Sequence, residues 1–237
     1  MNYIESILLG IIQGITEFLP ISSSGHLLMG RALFDIQTTA SNSFLEIFLH
    51  GGTLLSILFY WKDSLVNNIK NSINGESKLF LSIIIGTIPA ACIGLLFKDN
   101  INSFFDIKNI SYLSISYLCL AIILYLTRRK YKNSDTYSNV LYKFAFIIGI
   151  AQCIAIIPGI SRSGITIAVA IFLGINKREA TNFSFMLAIP ILFFAFIKSL
   201  IDNLALFADS VLFWPLIMGF ISSFITGYFV IDVLVRI

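Results

Sequence analysis

Charged side chains are scarce in this chain. Asp, Glu, Lys and Arg make up 12% of its 237 residues, which is about half of their share in an average soluble domain. The formal net charge is only +3, and the basic residues are scattered along the chain instead of forming one basic face. These shortages exclude a soluble globule, a disordered chain and a nucleic-acid-binding protein, so we expect no nucleic acid among its partners.

Cysteine is also rare. The chain has three cysteines, Cys92, Cys119 and Cys153, and each lies inside an apolar run without the spacing of metal ligands. We interpret them as small hydrophobic residues of the core, and not as disulfide or metal-binding residues.

Apolar residues take the place of the missing charges. They make up 57% of the chain, and its mean hydropathy is +0.88. At roughly 20 residues per crossing plus loops, the chain has room for about seven or eight membrane crossings. The apolar segments are Ile4–Ile21, Leu27–Phe34, Phe44–Trp61, Leu79–Phe97, Leu113–Leu126, Val140–Ile157, Ile165–Ile175, Phe183–Leu200 and Val211–Val235.

Two of these segments, Leu27–Phe34 and Ile165–Ile175, are too short to cross a bilayer alone. Each follows a stretch rich in Pro, Ser and Gly, which we call the first break (Pro20–Gly25) and the second break (Pro158–Gly164). Non-helical backbone at membrane depth is tolerated only where it is buried or lines a wet cavity. A full helix, a polar break and a half helix therefore predict a re-entrant hairpin, with a pair of ordinary kinked spans as the alternative.

The two breaks match each other at a constant offset of 139 residues, which predicts an internal duplication. The matched pairs, without a gap, include Gly10/Gly149, Gln13/Gln152, Ser22/Ser161, Ser24/Ser163, Gly25/Gly164, Phe44/Phe183 and Asp63/Asp202. We expect a single transmembrane domain over 1–237, with repeat one at about 1–126, a cytoplasmic loop at 127–143 and repeat two at about 144–237. The segment Leu113–Leu126 would have its partner at about 252–265, so we expect the final helix to be absent, from the protein itself or by truncation.

Loop charges predict the orientation. The loop Thr127–Lys143 carries five basic residues against one acidic residue, which is typical of a cytoplasmic loop. Counting spans from this loop places 11 basic residues inside and 4 outside, Arg31 among the latter, with Arg162 in a hairpin. Repeat one then crosses the membrane an odd number of times, so repeat two is inverted and the two hairpins meet near the midplane. The predicted fold class is an all-α polytopic membrane protein of two inverted-topology repeats, each with a re-entrant helix hairpin.

Ionisable residues deep in the apolar segments are few, and we single out Glu17, His26, Glu46, His50 and Arg162. Placing each in lipid costs several kcal/mol, so each is a candidate functional residue. The alternative is that they pair with one another to hold helices together, and we keep that alternative above all for Glu46 and His50.

The second break has the chemistry of an anion site. It combines hydroxyls, glycines and one guanidinium at the start of a helix, where backbone N–H groups and the helix dipole favour negative charge. We predict that it binds phosphate through Ser161, Arg162, Ser163, Gly164 and Thr166, joined by Ser22 of the first break.

The first break lies beside a carboxylate. Gln13 and Glu17 are four residues apart and share one helical face, next to the run from Leu19 to His26 with its three serines and one imidazole. These groups can supply a nucleophile or an activated water and a proton carrier, which is what phosphoryl transfer needs.

Both motifs together resemble the undecaprenyl-pyrophosphate phosphatase family, also called the bacitracin-resistance protein family. The first motif here is Gln13, Glu17, Phe18-Leu19-Pro20 and Ser22-Ser23-Ser24-Gly25-His26, and the second is Pro158 through Thr166. The resemblance covers essentially the whole chain. It implies the same inverted-repeat architecture, and an integral membrane enzyme that hydrolyses undecaprenyl diphosphate to undecaprenyl phosphate and phosphate, recycling the lipid carrier of peptidoglycan synthesis and conferring bacitracin resistance. It also implies a bacterial plasma (inner) membrane location with the site open to the outer face.

The resemblance further implies Glu17, Ser23, His26 and Arg162 as catalytic residues, with Ser23 and His26 as the reacting pair. Either Ser23 attacks phosphorus while His26 or Glu17 takes its proton, or His26 attacks or activates water while Ser23 binds; the sequence leaves both open. His50 stands where a glutamine is usual in the family. Mg²⁺ typically binds through one or two carboxylates plus substrate phosphates, and the resemblance also implies a divalent cation, so we expect Mg²⁺ or Ca²⁺ at Glu17 and Gln13.

The sequence also leaves a transport function open. Inverted repeats with paired broken helices are a transporter plan as well, so a polyprenyl-phosphate flippase is the rival function. The expected partners are a polyprenyl diphosphate lipid and the membrane, and the chain can be a monomer or a homodimer.

Overall fold

The computed structural model describes residues 3–36, 40–73, 78–96, 111–130, 142–203 and 210–236. The regular elements in these ranges are all helical, and each of the nine apolar segments contains one helix. The helices are α1 (Tyr3–Thr16), α2 (Ser23–Leu33), α3 (Ala40–Tyr60), α4 (Lys62–Ile73), α5 (Lys78–Leu96), α6 (Tyr112–Lys130), α7 (Tyr142–Gln152), α8 (Arg162–Phe172), α9 (Lys177–Asp202) and α10 (Ser210–Arg236), and a 3₁₀ turn (Cys153–Ile156) follows α7.

Within the part of the chain that the structure describes, three helices are long and apolar enough to cross a membrane: α5, α9 and the part of α10 from Phe213 to Val235. A crossing needs about 20 predominantly apolar residues. The shorter apolar helices include α1, α8, and α7 together with the 3₁₀ turn that follows it. The predicted all-α membrane protein is confirmed at this level.

Both breaks end a helix earlier than the apolar pattern predicts. Helix α1 ends at Thr16, although the apolar segment continues to Ile21, and α7 gives way to a 3₁₀ turn after Gln152. A proline follows in each case, Pro20 and Pro158. Proline has no N–H to donate, and it disfavours helical backbone in the residue before it.

Helices α2 and α8 are built in the same way at both ends. The Ser22 and Ser161 side chains cap them by accepting hydrogen bonds from the N–H groups three residues on, at 3.4 and 3.1 Å. Their C-termini close with N–H to C=O bonds of the Schellman type, from Ile36 and Ile175. The start and the end of α8 both lie 139 positions after those of α2.

The core consists of three clusters of buried apolar residues, two of which have members at the same offset. One cluster contains Leu9, Ile36, Phe44 and Phe48; the other contains the residues 139 positions later, Ile148, Ile175, Phe183 and Leu187. Helix α1 packs along α10, α7 packs along α5, and α3 crosses α9. Through these contacts the chain ends and the middle of the sequence come together around the two breaks.

Helix α4 (Lys62–Ile73) lies between two of the apolar segments. It has Asp63 in its first turn and Lys70 in its last, where each charge interacts favourably with the helix dipole. The prediction for two of the cysteines is wrong. Cys92 and Cys119 were expected in the core, but both are exposed. In a membrane protein an apolar side chain is as well accommodated by lipid as by the core.

Candidate active site

Glu17 lies at the centre of the candidate site, immediately after the end of α1. Its carboxylate accepts a hydrogen bond from the Ser23 hydroxyl at 2.5 Å and one from the Gln13 side-chain amide at 3.0 Å. The Arg162 guanidinium forms an ion pair with the other carboxylate oxygen. The structure thus brings together a carboxylate, a hydroxyl and a guanidinium from three separate parts of the chain.

Helix α3 adds two further polar groups to Glu17 and Gln13. His50 Nε2 lies 3.5 Å from the Glu17 carboxylate, and the Thr53 hydroxyl accepts from the Gln13 amide at 3.4 Å. His50 Nδ1 lies 2.7 Å from the carbonyl oxygen of Glu46, one turn earlier. His50 therefore lies directly beside the site, and Glu17 is the residue with which it can pair.

The two breaks are in direct contact. The Gly159 N–H donates to the Ser22 hydroxyl at 3.2 Å, and the Ser163 hydroxyl donates to the Leu19 carbonyl at 3.2 Å. Ser22 has φ +65°, in the left-handed region, which costs a non-glycine residue roughly 1–2 kcal/mol. The Gly159 contact ties this strained residue to the opposite break.

The first turn of α8 carries the predicted phosphate-binding residues. Ser161 caps it, and its oxygen lies 3.0 Å from that of Ser163. The Thr166 hydroxyl lies 2.7 Å from the Ser184 hydroxyl of α9, and Arg162 Nη1 donates to the Ser184 carbonyl at 3.4 Å. The Thr166–Ser184 contact therefore holds α8 against α9, and the Ser184 carbonyl helps to position the guanidinium end of Arg162.

His26 lies on the first turn of α2, three residues after Ser23. Its Nδ1 is 2.8 Å from the Ser22 carbonyl oxygen and 3.1 Å from the Tyr117 hydroxyl of α6. The imidazole therefore uses Nδ1 for contacts within the protein, which leaves Nε2 as the nitrogen that can act on a ligand.

A buried ion pair joins α2 to α3 next to the site. Arg31 has no exposed surface, and its guanidinium bonds to the Glu46 carboxylate. Arg31, which charge counting placed on the outer side, is therefore a buried charge and not a solvent-exposed one. Removing a charge from water is costly unless a partner of opposite sign is held beside it, and Glu46 fills that role.

Sequence reasoning identified Glu17, Gln13, Ser23 and Arg162, which the structure brings into one network. It missed Thr53, Ser184 and Tyr117, because a hydroxyl inside an apolar span is an ordinary occurrence and only packing shows what it touches. Arg31 could have been found, since a charge within the short segment Leu27–Phe34 satisfies the criterion that selected Arg162.

Comparisons with known proteins agree over nearly the full chain. A sequence model of the family described as bacitracin resistance protein BacA matches residues 6–237. A Bacillus cereus protein named undecaprenyl-diphosphatase 4 is 41% identical over 100% of this chain and 88% of its own length. A Christiangramia forsetii protein named undecaprenyl-diphosphatase is 40% identical over 96% of this chain and 86% of its own length. A protein of the same name from Methanosphaera stadtmanae is 38% identical over 100% of this chain and 90% of its own length.

Proposed function

This chain belongs to the bacitracin resistance protein BacA family, and from that premise we propose that it hydrolyses undecaprenyl diphosphate to undecaprenyl phosphate and inorganic phosphate. The observation that carries the proposal is the Ser23 hydroxyl donating to Glu17 at 2.5 Å, beside the Arg162 guanidinium. The relatives are named for the same reaction, which supports hydrolysis over a flippase function. Hydrolysis would recycle the lipid carrier of cell-wall synthesis and raise resistance to bacitracin.

The finer architecture of the proposal is a pair of inverted repeats with the two breaks meeting near the membrane midplane. Helices α1 and α7 begin 139 positions apart, as do α2 and α8. Helix α1 packs on α10 of the second half, and its counterpart α7 packs on α5 of the first half. Each of these two helices thus packs on a helix of the other half, as expected for two repeats related by a two-fold axis. We place the protein in the bacterial plasma membrane, with the site open to the outer face.

The first chemical step uses Ser23 as the nucleophile. Its Oγ attacks the terminal phosphorus, the bond from phosphorus to the bridging oxygen breaks, and undecaprenyl phosphate leaves. The serine proton passes to Glu17, which already accepts it in a hydrogen bond. Protonation neutralises the ion-pair partner of Arg162 while negative charge builds on the phosphoryl oxygens. The positive charge of Arg162 then stabilises the transition state more than the ground state, which lowers the barrier.

The second step returns the enzyme to its starting state. A water molecule attacks the phosphoserine phosphorus, its proton passes to His26 Nε2, and the bond from phosphorus to Ser23 Oγ breaks. His26 then gives that proton to the departing phosphate. Glu17 then gives the proton back to Ser23. Ser22, Ser161, Ser163 and Gly164 surround the two phosphates at the start of α8, where backbone N–H groups favour anions.

A divalent cation, Mg²⁺ or Ca²⁺, is part of the proposal. Gln13 Oε1 is buried and has no hydrogen-bond partner among the described residues, while the nitrogen of the same amide donates to the Glu17 carboxylate at 3.0 Å. An amide oxygen and one carboxylate, completed by substrate phosphates, suit a hard cation. When bound, the cation would neutralise phosphate charge. The described residues contain no cluster of three His, Cys, Asp or Glu side chains as another metal site.

The experiment that tests the proposal measures phosphate release from undecaprenyl diphosphate in detergent. We expect Ser23→Ala to abolish turnover and the wild type to yield a trapped phosphoserine, whereas the neighbouring control Ser24→Ala keeps most of the wild-type kcat. Substantial kcat in Ser23→Ala would leave His26 as the nucleophile. A wild-type protein that moves the lipid across vesicles but releases no phosphate would instead establish the flippase.

A further inference from the structure

Helix α6 packs on the two breaks at the place where they meet. A Cβ added to Gly159 of the second break would lie 2.6 Å from the Ser116 Cβ, and one added to Gly25 of the first break would lie 2.5 Å from the Tyr117 hydroxyl oxygen. Real Cβ atoms do not approach other atoms so closely, so α6 packs against both breaks at positions without a side chain; at Gly25 the nearest atom is the end of the Tyr117 side chain. Ser116 and Tyr117 thus present one side of α6 to both halves of the site.

Tyr117 contacts the imidazole of His26 in two ways. Its hydroxyl oxygen lies 3.1 Å from His26 Nδ1, and the two rings meet edge to face, with centroids 5.6 Å apart and planes at 75°. The hydroxyl and the aromatic ring therefore act on His26 separately, and a phenylalanine would keep the second contact while losing the first.

The contacts of Nδ1 determine which nitrogen of His26 carries the proton. The Ser22 carbonyl oxygen, 2.8 Å away, can only accept a hydrogen bond. A protonated Nδ1 makes this contact favourable, whereas an unprotonated Nδ1 would bring two lone pairs together. The same N–H then forms a bifurcated hydrogen bond, with the Tyr117 oxygen as its second acceptor. In a neutral imidazole this leaves Nε2 with its lone pair, because the hydrogen bond made by one nitrogen sets the state of the other.

We propose that Tyr117 is a positioning residue for His26. Together with the Ser22 carbonyl, its hydroxyl holds the imidazole as the Nδ1–H tautomer and points a basic Nε2 at the phosphoryl group. The consequence for catalysis rests on the proposed function, in which Nε2 takes a proton from the water that attacks phosphoserine. The tautomer itself does not depend on that reaction.

Nitrogen NMR of the imidazoles tests the tautomer directly. The chain contains two histidines, His26 and His50, so a spectrum of protein labelled with ¹⁵N-histidine in detergent micelles is simple, and the His26→Gln spectrum assigns the signals. We expect wild-type His26 to show a protonated Nδ1 and an unprotonated Nε2. In Tyr117→Phe, the ratio of the two tautomers should shift toward Nε2–H by roughly 2- to 10-fold, the equivalent of one hydrogen bond.

Steady-state kinetics test the consequence. Tyr117→Phe should lower kcat by roughly 2- to 10-fold and leave KM unchanged, because the binding groups of the site are intact. Tyr112→Phe is the matched control, since Tyr112 lies on the same helix but is exposed, and it should retain the wild-type kcat.

Three results would overturn the inference: a wild-type His26 protonated at Nε2 instead of Nδ1, a tautomer ratio in Tyr117→Phe equal to that of the control, or a kcat equal to that of the control. A wild-type protein that releases no phosphate would contradict the proposed function alone, since the NMR spectrum would still show whether Tyr117 holds the tautomer.

Discussion

Glu17 makes contact with every class of group in the site. A hydroxyl, an amide, a guanidinium and an imidazole all reach its two oxygens. An isolated carboxylate at this depth would be very costly, and charge-assisted hydrogen bonds are what make it tolerable. At the scale of single residues, the site is therefore a small network of opposite charges in which the loss of one member leaves the others unpaired.

Arg162→Lys is expected to lower kcat by roughly 100-fold or more, the cost of losing a preorganised donor to the developing charge. An ammonium is a point charge and lacks the planar set of donors with which a guanidinium could bind Glu17 and a phosphate oxygen together. The measurement is phosphate release, with melting temperature to confirm folding. Arg128→Lys on the exposed part of α6 is the control, and a wild-type kcat in Arg162→Lys would refute the bidentate role.

Chelation is expected to abolish activity, and added Mg²⁺ or Ca²⁺ to restore it. If Gln13 Oε1 is a ligand, Gln13→Leu should raise the Mg²⁺ concentration needed for half-maximal activity by roughly 10-fold or more. A titration of phosphate release against Mg²⁺ measures both effects. Full activity in excess chelator would show that Glu17 serves as a base or positioning residue without metal.

At the scale of helices, close glycine contacts join the two halves of the chain. A Cβ added to Gly149 of α7 would lie 2.3 Å from the Gly86 carbonyl oxygen of α5, and one added to Gly10 of α1 would lie 2.4 Å from the Gly219 carbonyl oxygen of α10. Lipid gives no hydrophobic drive for helices to associate, so close packing through small residues is a main source of their affinity. Gly10 and Gly149 are also matched at the 139-residue offset, so the same device occurs in both halves.

Gly149→Ala should destabilise the protein by about 1–3 kcal/mol, as expected for overpacking against atoms that cannot move aside. The obstacle is backbone of α5, so the helices must separate. Gly94→Ala on α5 is the matched control, because a Cβ there would have no neighbour within 4 Å and alanine favours helix. Thermal unfolding in detergent compares the two, and equal melting temperatures would contradict the tight crossing.

At the scale of the whole molecule, the site exists only where the two halves meet. Glu17 and Ser23 come from the first half and Arg162 from the second, and the Glu17–Arg162 ion pair spans 145 positions of sequence. Neither half alone contains this ion pair. Under the proposed duplication, the two breaks would provide two similar frameworks that carry different functional residues.

Inverted repeats place matched residues on opposite sides of the membrane. Tyr3 and Tyr142 are separated by the 139-residue offset, and both are exposed. In a variant with Cys92, Cys119 and Cys153 replaced by alanine, we expect Tyr3→Cys to react with an impermeant thiol reagent from outside, and Tyr142→Cys only from inside. Labelling of both from the same side would exclude the inverted arrangement.

The helical elements and the adjacency of Gln13 and Glu17 could be predicted from the chain alone. The nine apolar segments each contain a helix, because in lipid a helix is the structure that satisfies its own backbone hydrogen bonds. Gln13 and Glu17 are adjacent as their spacing predicts. Helix ends were predicted less well. The apolar segment continues to Ile21, whereas α1 ends at Thr16, one turn before Pro20.

The sequence by itself determined a helical membrane protein with two matched polar breaks and a short list of charged residues, since each of these follows from composition, spacing and the cost of charge in lipid. Only the tertiary structure decided that Arg162 pairs with Glu17, that Glu46 neutralises Arg31, and that Tyr117 reaches His26. Those contacts join residues between 15 and 145 positions apart. Their geometry depends on how α3, α6 and α8 pack against the breaks, which no local pattern encodes.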